Sequence, residues 1–185
     1  MSSSIHTAPS DAGPCVRGKT LPDLLYEAAD AYDNPSALNQ PAGDGWVPMS
    51  LDRFRRRAEE TALGLGTLDL ERGDRVAFLM ESDVHYCVVD MGCLIGGFID
   101  VPLYLSSAPD QMTYVAEHAE AKVMVVSNPK RLAQVADLLP DLPRIHTVIL
   151  CDPEGETGAE RPTLPEDVEL KTLEAVQTQG RNSVD

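Results

Sequence analysis

Residues 73–102, with the sequence GDRVAFLMESDVHYCVVDMGCLIGGFIDVP, constrain the fold of this chain more than any other stretch. Residues 75–80 form a short apolar run after a Gly-Asp turn, which is long enough for one buried strand. Residues 98–101 form a second such run, closed by Pro102, which cannot donate a hydrogen bond to a sheet. The segment between the two runs has the length of a helix. The pattern therefore predicts a right-handed strand–helix–strand crossover and a parallel sheet.

The helix between these strands is predicted from the spacing of its apolar residues. Those that share one face are Val84, Val88, Met91 and Ile95. Ser82 is a suitable N-cap, and Gly96 and Gly97 can end the helix because glycine adopts the left-handed backbone conformation that a helix end needs.

The same alternation of strands and helices continues after this unit. Strands are predicted over residues 122–126 and 147–150, and Ser127 or Asn128 can cap the helix between them. Before the unit, residues 35–39 and 46–49 flank a Gly-Asp-Gly turn, which predicts a small β-hairpin. We expect an α/β fold with an open, mostly parallel sheet and helices on both faces.

Composition divides the chain into three parts. Residues 1–18 are rich in Ser, Ala, Pro and Gly, which predicts a flexible N-terminal arm. Residues 19–150 carry the α/β pattern. Residues 151–185 begin with an acidic stretch rich in Pro and Gly, and we expect a linker and tail there, with one or two helical turns at most over residues 170–176.

The charge of the chain restricts its partners and its location. Asp and Glu number 30 against 15 Lys and Arg, a formal net charge of −15, and such a field repels nucleic acid and anionic lipid. No apolar run reaches the roughly 18 residues of a transmembrane helix. The N-terminus lacks the basic start and apolar centre of a secretory signal, so we expect a cytoplasmic protein.

Motifs that carry chemistry are missing from the sequence. It contains no GxGxxG, no GxxxxGK[ST] and no GxSxG, and its cysteines and histidines lack metal-site spacing. The sequence thus predicts neither a metal site nor a catalytic residue.

Two groups of residues are candidates for binding. An arginine cluster at positions 53 and 55–57 could bind a phosphate, but Glu59 and Glu60 favour a solvated, salt-bridged face. Tyr104, Ser106 and Ser107 follow a predicted strand and are candidates for a substrate pocket.

Four segments in order resemble the N-terminal part of the AMP-forming acyl-CoA synthetases, within the adenylate-forming superfamily. The segments are TLPDLLYEAADAYDNPSAL, GWVPMSLDRFRRRAEETALGL, LERGDRVAFLMESDVHYCVVDMGCLIGGFIDVPLY and APDQMTYVAEHAEAKVMVVSN. The spacing and the VPLY ending look most like the long-chain fatty-acyl branch. The resemblance implies part of the family's large N-terminal domain, and hence an incomplete subdomain.

The resemblance also implies a reaction for the parent protein. A fatty acid is activated with ATP and Mg²⁺ as an acyl-adenylate, and CoA then displaces AMP to form a thioester. The family's phosphate loop and its later nucleotide-binding segments have no match here, so no catalytic residue is carried over and we expect no cofactor on this chain. Uncovered apolar surface could cause self-association.

Two alternatives remain open. The chain could be a stand-alone, non-catalytic binding or interaction module derived from this family. A flavodoxin-like nucleotide binder ranks last, because Glu81 and Asp83 after the first strand would repel phosphate.

Overall fold

The computed structural model describes residues 18–155 and 162–184. Most of the predicted N-terminal arm, residues 1–17, therefore lies outside the described residues. The helices are α1 (Leu21–Ala31), α2 (Leu51–Leu65), α3 (Val84–Gly96), α4 (Pro109–His118), α5 (Pro129–Ala136) and α6 (Leu173–Asn182). The strands are β1 (Leu38–Ala42), β2 (Gly45–Met49), β3 (Arg75–Leu79), β4 (Ile99–Pro102), β5 (Val123–Val126), β6 (Thr147–Leu150) and β7 (Glu169–Thr172).

Five strands form one parallel sheet in the order β4-β3-β5-β6-β7. Successive side chains of a strand point to opposite faces, so β3 contributes Val76 and Phe78 to one face and Ala77 and Leu79 to the other. Helices α2, α3 and α6 cover the first face, and α4 and α5 cover the second. The predicted α/β class, with a parallel sheet covered on both faces, is confirmed.

The central β3–α3–β4 unit follows the sequence prediction closely. Gly97 ends α3 with φ +75, in the left-handed region where glycine carries no steric penalty. The cap at the other end differs from the prediction. Asp83 rather than Ser82 is the N-cap residue, and its carboxylate accepts a hydrogen bond from the Tyr86 amide at 2.9 Å. A carboxylate at this position also complements the positive end of the helix dipole.

The hairpin is confirmed with a shift of its first strand. The prediction placed that strand over residues 35–39, whereas β1 runs over Leu38–Ala42. The reason is the tight two-residue turn at Gly43 and Asp44, which pairs Ala42 with Gly45. Every other pair follows from this one, so the partner of Met49 is Leu38 and β1 extends up to the turn.

The C-terminal part corrects the sequence analysis most. Within the region predicted as a linker and tail, residues 151–185, the chain returns to the sheet as β7, which pairs with β6 in parallel, and continues as α6. Residues 156–161 of the predicted linker lie outside the described residues. Thr172 caps α6 by accepting a hydrogen bond from the Ala175 amide. Leu173 and Val176 are buried against the sheet, and this burial stabilises a helix with few apolar residues.

Among the described helices, none combines the length and apolar character that crossing a bilayer requires.

Candidate functional site

A cleft of about 870 Å³ lies at the carboxyl edge of the sheet, between the strand ends and the β-hairpin. Parallel α/β sheets commonly bind ligands at this edge, because loops from neighbouring strands converge there. The loops after β3, β5 and β6 supply its polar side, and the hairpin supplies Trp46 and Gln40. The lining residues from the loops include Glu81, Ser82, Asp83, Ser127, Asn128 and Asp152.

Glu81 is the most constrained side chain of the cleft. Its Oε1 accepts a hydrogen bond from Arg131 Nε at 2.8 Å, and its backbone amide donates to the Ser127 hydroxyl at 2.7 Å. Burial favours the neutral acid, but hydrogen bonding to Ser127 and Arg131 outweighs burial and holds the pKa of Glu81 below its ordinary value. The Oε2 atom is buried and has no hydrogen-bond partner among the described residues. Glu81 is therefore a fixed negative charge with one unused acceptor.

Asp83 and the hairpin complete the wall of the cleft to which Glu81 belongs. Burial again favours the neutral acid, but hydrogen bonds involving His85 and the Tyr86 amide hold the pKa of Asp83 below its ordinary value. The Val84 amide at the start of α3 donates to Gln40 Oε1 at 3.1 Å, which ties the hairpin to the helix. Asn128 caps α5 by accepting from the Arg131 amide at 3.1 Å. The wall is thus rigid and rich in acceptors.

This arrangement suits binding better than catalysis. Glu81 and Asp83 are engaged in an ion pair and a helix cap, and burial and the charges of Asp90 and Asp83 raise the pKa of the Cys87 thiol, which keeps it in the unreactive neutral form. Within residues 18–155 and 162–184, no group of three or more potential metal ligands is present. The cleft can hold a ligand that offers hydrogen-bond donors to its carboxylates and an apolar part to Trp46 and Tyr86.

The residues predicted from sequence as a pocket lie elsewhere. Tyr104, Ser106 and Ser107 follow β4, the edge strand of the sheet, and none of them lines the cleft. Tyr104 is 79% exposed. Whether these three residues contact a substrate stays a prediction.

Sequence reasoning named Glu81 and Asp83 only as charges that would repel phosphate, and it assigned no role in a site to Ser127, Asn128 or Asp152. A signal for them was present: each follows a short apolar run that forms a neighbouring strand, so their side chains meet at one edge. What the sequence could not give was the strand order, which decides which loops converge.

The fold and cleft define an open parallel α/β domain with a binding edge, and comparison with known proteins adds the family. The model of the AMP-binding enzyme family matches residues 25–181. This chain belongs to the AMP-binding enzyme family.

Curated relatives are long-chain-fatty-acid–CoA ligases. ACSBG1 of Rattus norvegicus is 31% identical over 152 residues, which cover 82% of this chain and 21% of that protein. ACSBG2 of Xenopus laevis is 28% identical over 145 residues, which cover 78% of this chain and 19% of the relative. The chain thus spans about a fifth of the length of these relatives.

Solved structures share the fold. The adenylation domain of a carboxylate reductase from Mycobacterium chelonae superposes with a TM-score of 0.75 at 20% identity, covering 89% of this chain and 29% of that one. A putative long-chain-fatty-acid CoA ligase from Rhodopseudomonas palustris gives 0.68 at 20% identity, covering 88% and 37%. The sheet described above is therefore part of the fold that these two structures share.

Proposed function

We propose that this chain is the N-terminal part of an ATP-dependent, AMP-forming fatty-acyl-CoA ligase. The observation that carries the proposal is the family match over residues 25–181, joined to curated relatives that are long-chain ligases. The whole protein would activate a fatty acid as its adenylate with release of pyrophosphate. It would then transfer the acyl group to the thiol of CoA with release of AMP.

The chain itself supplies a scaffold in this proposal. The cleft does not fit a triphosphate, because Glu81, Asp83 and Asp152 present negative charge where phosphate oxygens would lie. Nor do its carboxylates fit Mg²⁺, since Asp83 caps α3, Glu81 Oε1 pairs with Arg131, and the described residues hold no group of three potential metal ligands. No step of the reaction is assigned to a residue of this chain. ATP, Mg²⁺ and CoA would bind to parts of the protein beyond the segment that this chain matches.

A cytoplasmic location and self-association of the isolated chain belong to the same proposal. Cys93 and Cys151 are buried free thiols, as expected in a reducing compartment. Ile99 on the edge strand β4 is 51% exposed, and Trp46 is 68% exposed. Further parts of a larger domain would cover such side chains, and without them copies of the chain would associate. A monomeric, sharply melting sample that binds no hydrophobic dye would contradict this.

The test compares this chain with the whole protein of which we propose it is the N-terminal part, here called the longer product. Pyrophosphate release and thioester formation are measured with ATP, CoA and a series of fatty acids of increasing length. We expect turnover by the longer product with long-chain acids and none by residues 1–185 alone. Thioester formation by residues 1–185 alone would overturn the scaffold role. A stop codon directly after codon 185 would favour the stand-alone binding module instead.

A further inference from the structure

A second pocket, of about 670 Å³, shares no lining residue with the cleft and lies where α2, the start of α3 and α6 meet. It is basic in a chain whose formal net charge is −15. The cationic and titratable residues that line it are Arg53, Arg56, Arg57, His85 and Arg181. Only two carboxylates, Glu60 and Glu174, line it with them.

Two carboxylates near this arginine cluster form ion pairs with arginines other than Arg53 and Arg57. Glu60 accepts a hydrogen bond from Arg181 at 2.8 Å. Asp52 pairs with Arg55 at 3.0 Å and Arg56 at 3.4 Å. The salt-bridged face expected from the sequence therefore exists only on the side of α2 that carries Arg55 and Arg56.

Glu59 is also directed away from the cluster. It interacts with Tyr26 on α1, where burial and then the charge of Glu59 raise the pKa of that phenol. Arg53 and Arg57 consequently have no ion-pair partner within the described part of the chain.

Arg57 is the central residue of the pocket. Burial, and then the charge of Arg53, lower the pKa of the Arg57 guanidinium, and the nearby charges of Glu60 and Glu174 offset this lowering only in part. Its backbone is held in place, because the Arg57 carbonyl accepts hydrogen bonds from the Thr61 hydroxyl at 2.7 Å and from Gln177 Nε2 at 3.3 Å. A half-buried guanidinium that forms no ion pair of its own is stabilised by a bound anion.

We propose that Arg53, Arg57 and Arg181 form a binding site for a small phosphate-bearing anion. Guanidinium groups present paired N–H donors in the geometry that phosphate oxygens accept, and the pocket is polar enough to leave the anion's remaining oxygens solvated. The site is separate from the cleft at the strand ends and does not depend on the proposed function.

Isothermal titration calorimetry with inorganic phosphate and with pyrophosphate tests the site on the full chain at low ionic strength. We expect saturable binding that is tighter for pyrophosphate and weakens as salt is added. R57Q should weaken binding about tenfold, the loss expected for one charge-assisted hydrogen bond. R55Q is the matched control: it lies on the same helix and removes the same charge, but Arg55 does not line the pocket. It should change the dissociation constant less than about twofold.

A third variant, E174Q, distinguishes a specific effect on binding from a loss of folded structure. It removes an exposed carboxylate from the rim of the pocket, so it should tighten pyrophosphate binding, a gain that loss of structure cannot produce. Two outcomes overturn the proposal: no saturable heat at millimolar pyrophosphate, or equal weakening by R55Q and R57Q, which would indicate only general attraction to α2.

Discussion

The two helical layers of this domain pack on the same sheet in different ways. The layer of α4 and α5 is filled by side chains, among them Met112, Leu132 and Val135, all with 1% exposure or less. The layer of α2, α3 and α6 also buries side chains, but its helices in addition contact one another closely at glycines. A Cβ atom added at Gly180 would lie 2.4 Å from the Glu60 carbonyl oxygen, and one at Gly64 would lie 2.2 Å from that of Val176.

This difference indicates how each layer fails. A layer filled by side chains loses stability when atoms are removed, because the neighbours cannot close the space. A layer in which helix backbones touch loses stability when atoms are added, because backbone atoms cannot rotate away as a flexible side chain can. Truncation should therefore cost most in the layer of α4 and α5, whereas enlargement at a glycine should destabilise the layer of α2, α3 and α6 in particular.

Leu132→Ala should give the largest loss. Leu132 is fully buried between α5 and the sheet, so its removal forfeits apolar burial and leaves a cavity. We expect the free energy of unfolding to fall by about 3 kcal/mol, measured by urea denaturation followed by circular dichroism. A loss below about 1 kcal/mol would mean that this layer repacks freely and that the contrast between the layers is wrong.

Gly180→Ala tests the other layer by addition. In an exposed helix this change would stabilise by roughly 1 kcal/mol, because alanine favours helix more than glycine does. Here the new methyl group meets the backbone of α2 at Glu60 and Gly64, so we expect a net loss of about 2 kcal/mol.

Gly45→Ala is the control for that experiment. Gly45 lies in β2, where a Cβ atom would have no neighbour closer than 4.0 Å, and its replacement should change stability by less than about 0.5 kcal/mol. If Gly180→Ala were stabilising in the same denaturation assay, close backbone contact between α2 and α6 would be disproved.

Gln177→Ala probes the polar contact inside the same layer. Gln177 is 4% exposed, and its Nε2 donates to Thr61 Oγ1 at 3.0 Å. We expect a loss of about 1 to 2 kcal/mol, since a buried hydrogen bond and its packing are removed. The exposed Gln179 on α6 offers a matched control, whose change to alanine should leave the denaturation midpoint nearly unchanged. Equal effects of the two variants would show that α6 is not anchored through Gln177.

The same contrast explains which parts of the fold could be predicted from sequence. The β3–α3–β4 unit carries its information locally, in an apolar run, a helical spacing and Gly97 at the helix end. Helix α6 carries little local information, because Gly180 lies inside it and its middle is polar. Its stability comes from contact with α2, more than a hundred residues earlier, as the Gln177–Thr61 bond illustrates. No pattern within the segment reports that partner.

The candidate sites show the same limit. The cap of α3 was predicted at Ser82 and lies at the neighbouring Asp83, and it could be placed to within one residue because capping is a local property. The pairing of Glu81 with Arg131 was not, because it depends on β3 and β5 being neighbours. The arginine cluster was visible on α2, but the sequence could not tell that Glu60 turns towards Arg181 and leaves Arg57 unpaired.

The Glu81–Arg131 pair adds an electrostatic contact to the side-chain layer, and its effect should be the smallest. Burial alone would raise the pKa of Glu81, but hydrogen bonding to Ser127 and Arg131 lowers it below the unfolded value. Ionised Glu81 therefore stabilises the native state above the unfolded pKa of about 4.3, and this contribution disappears as the pH falls through the lower, folded pKa. Because the Glu81 side chain is 36% exposed, we expect E81Q to lower stability by no more than about 1 kcal/mol at neutral pH.

Urea denaturation of wild type and E81Q between neutral and acidic pH should show that difference shrinking on acidification. E117Q, at an exposed position of α4, should follow the wild-type curve throughout. A gap between wild type and E81Q that stayed constant at every pH would mean that Glu81 stabilises the layer by packing rather than by its charge.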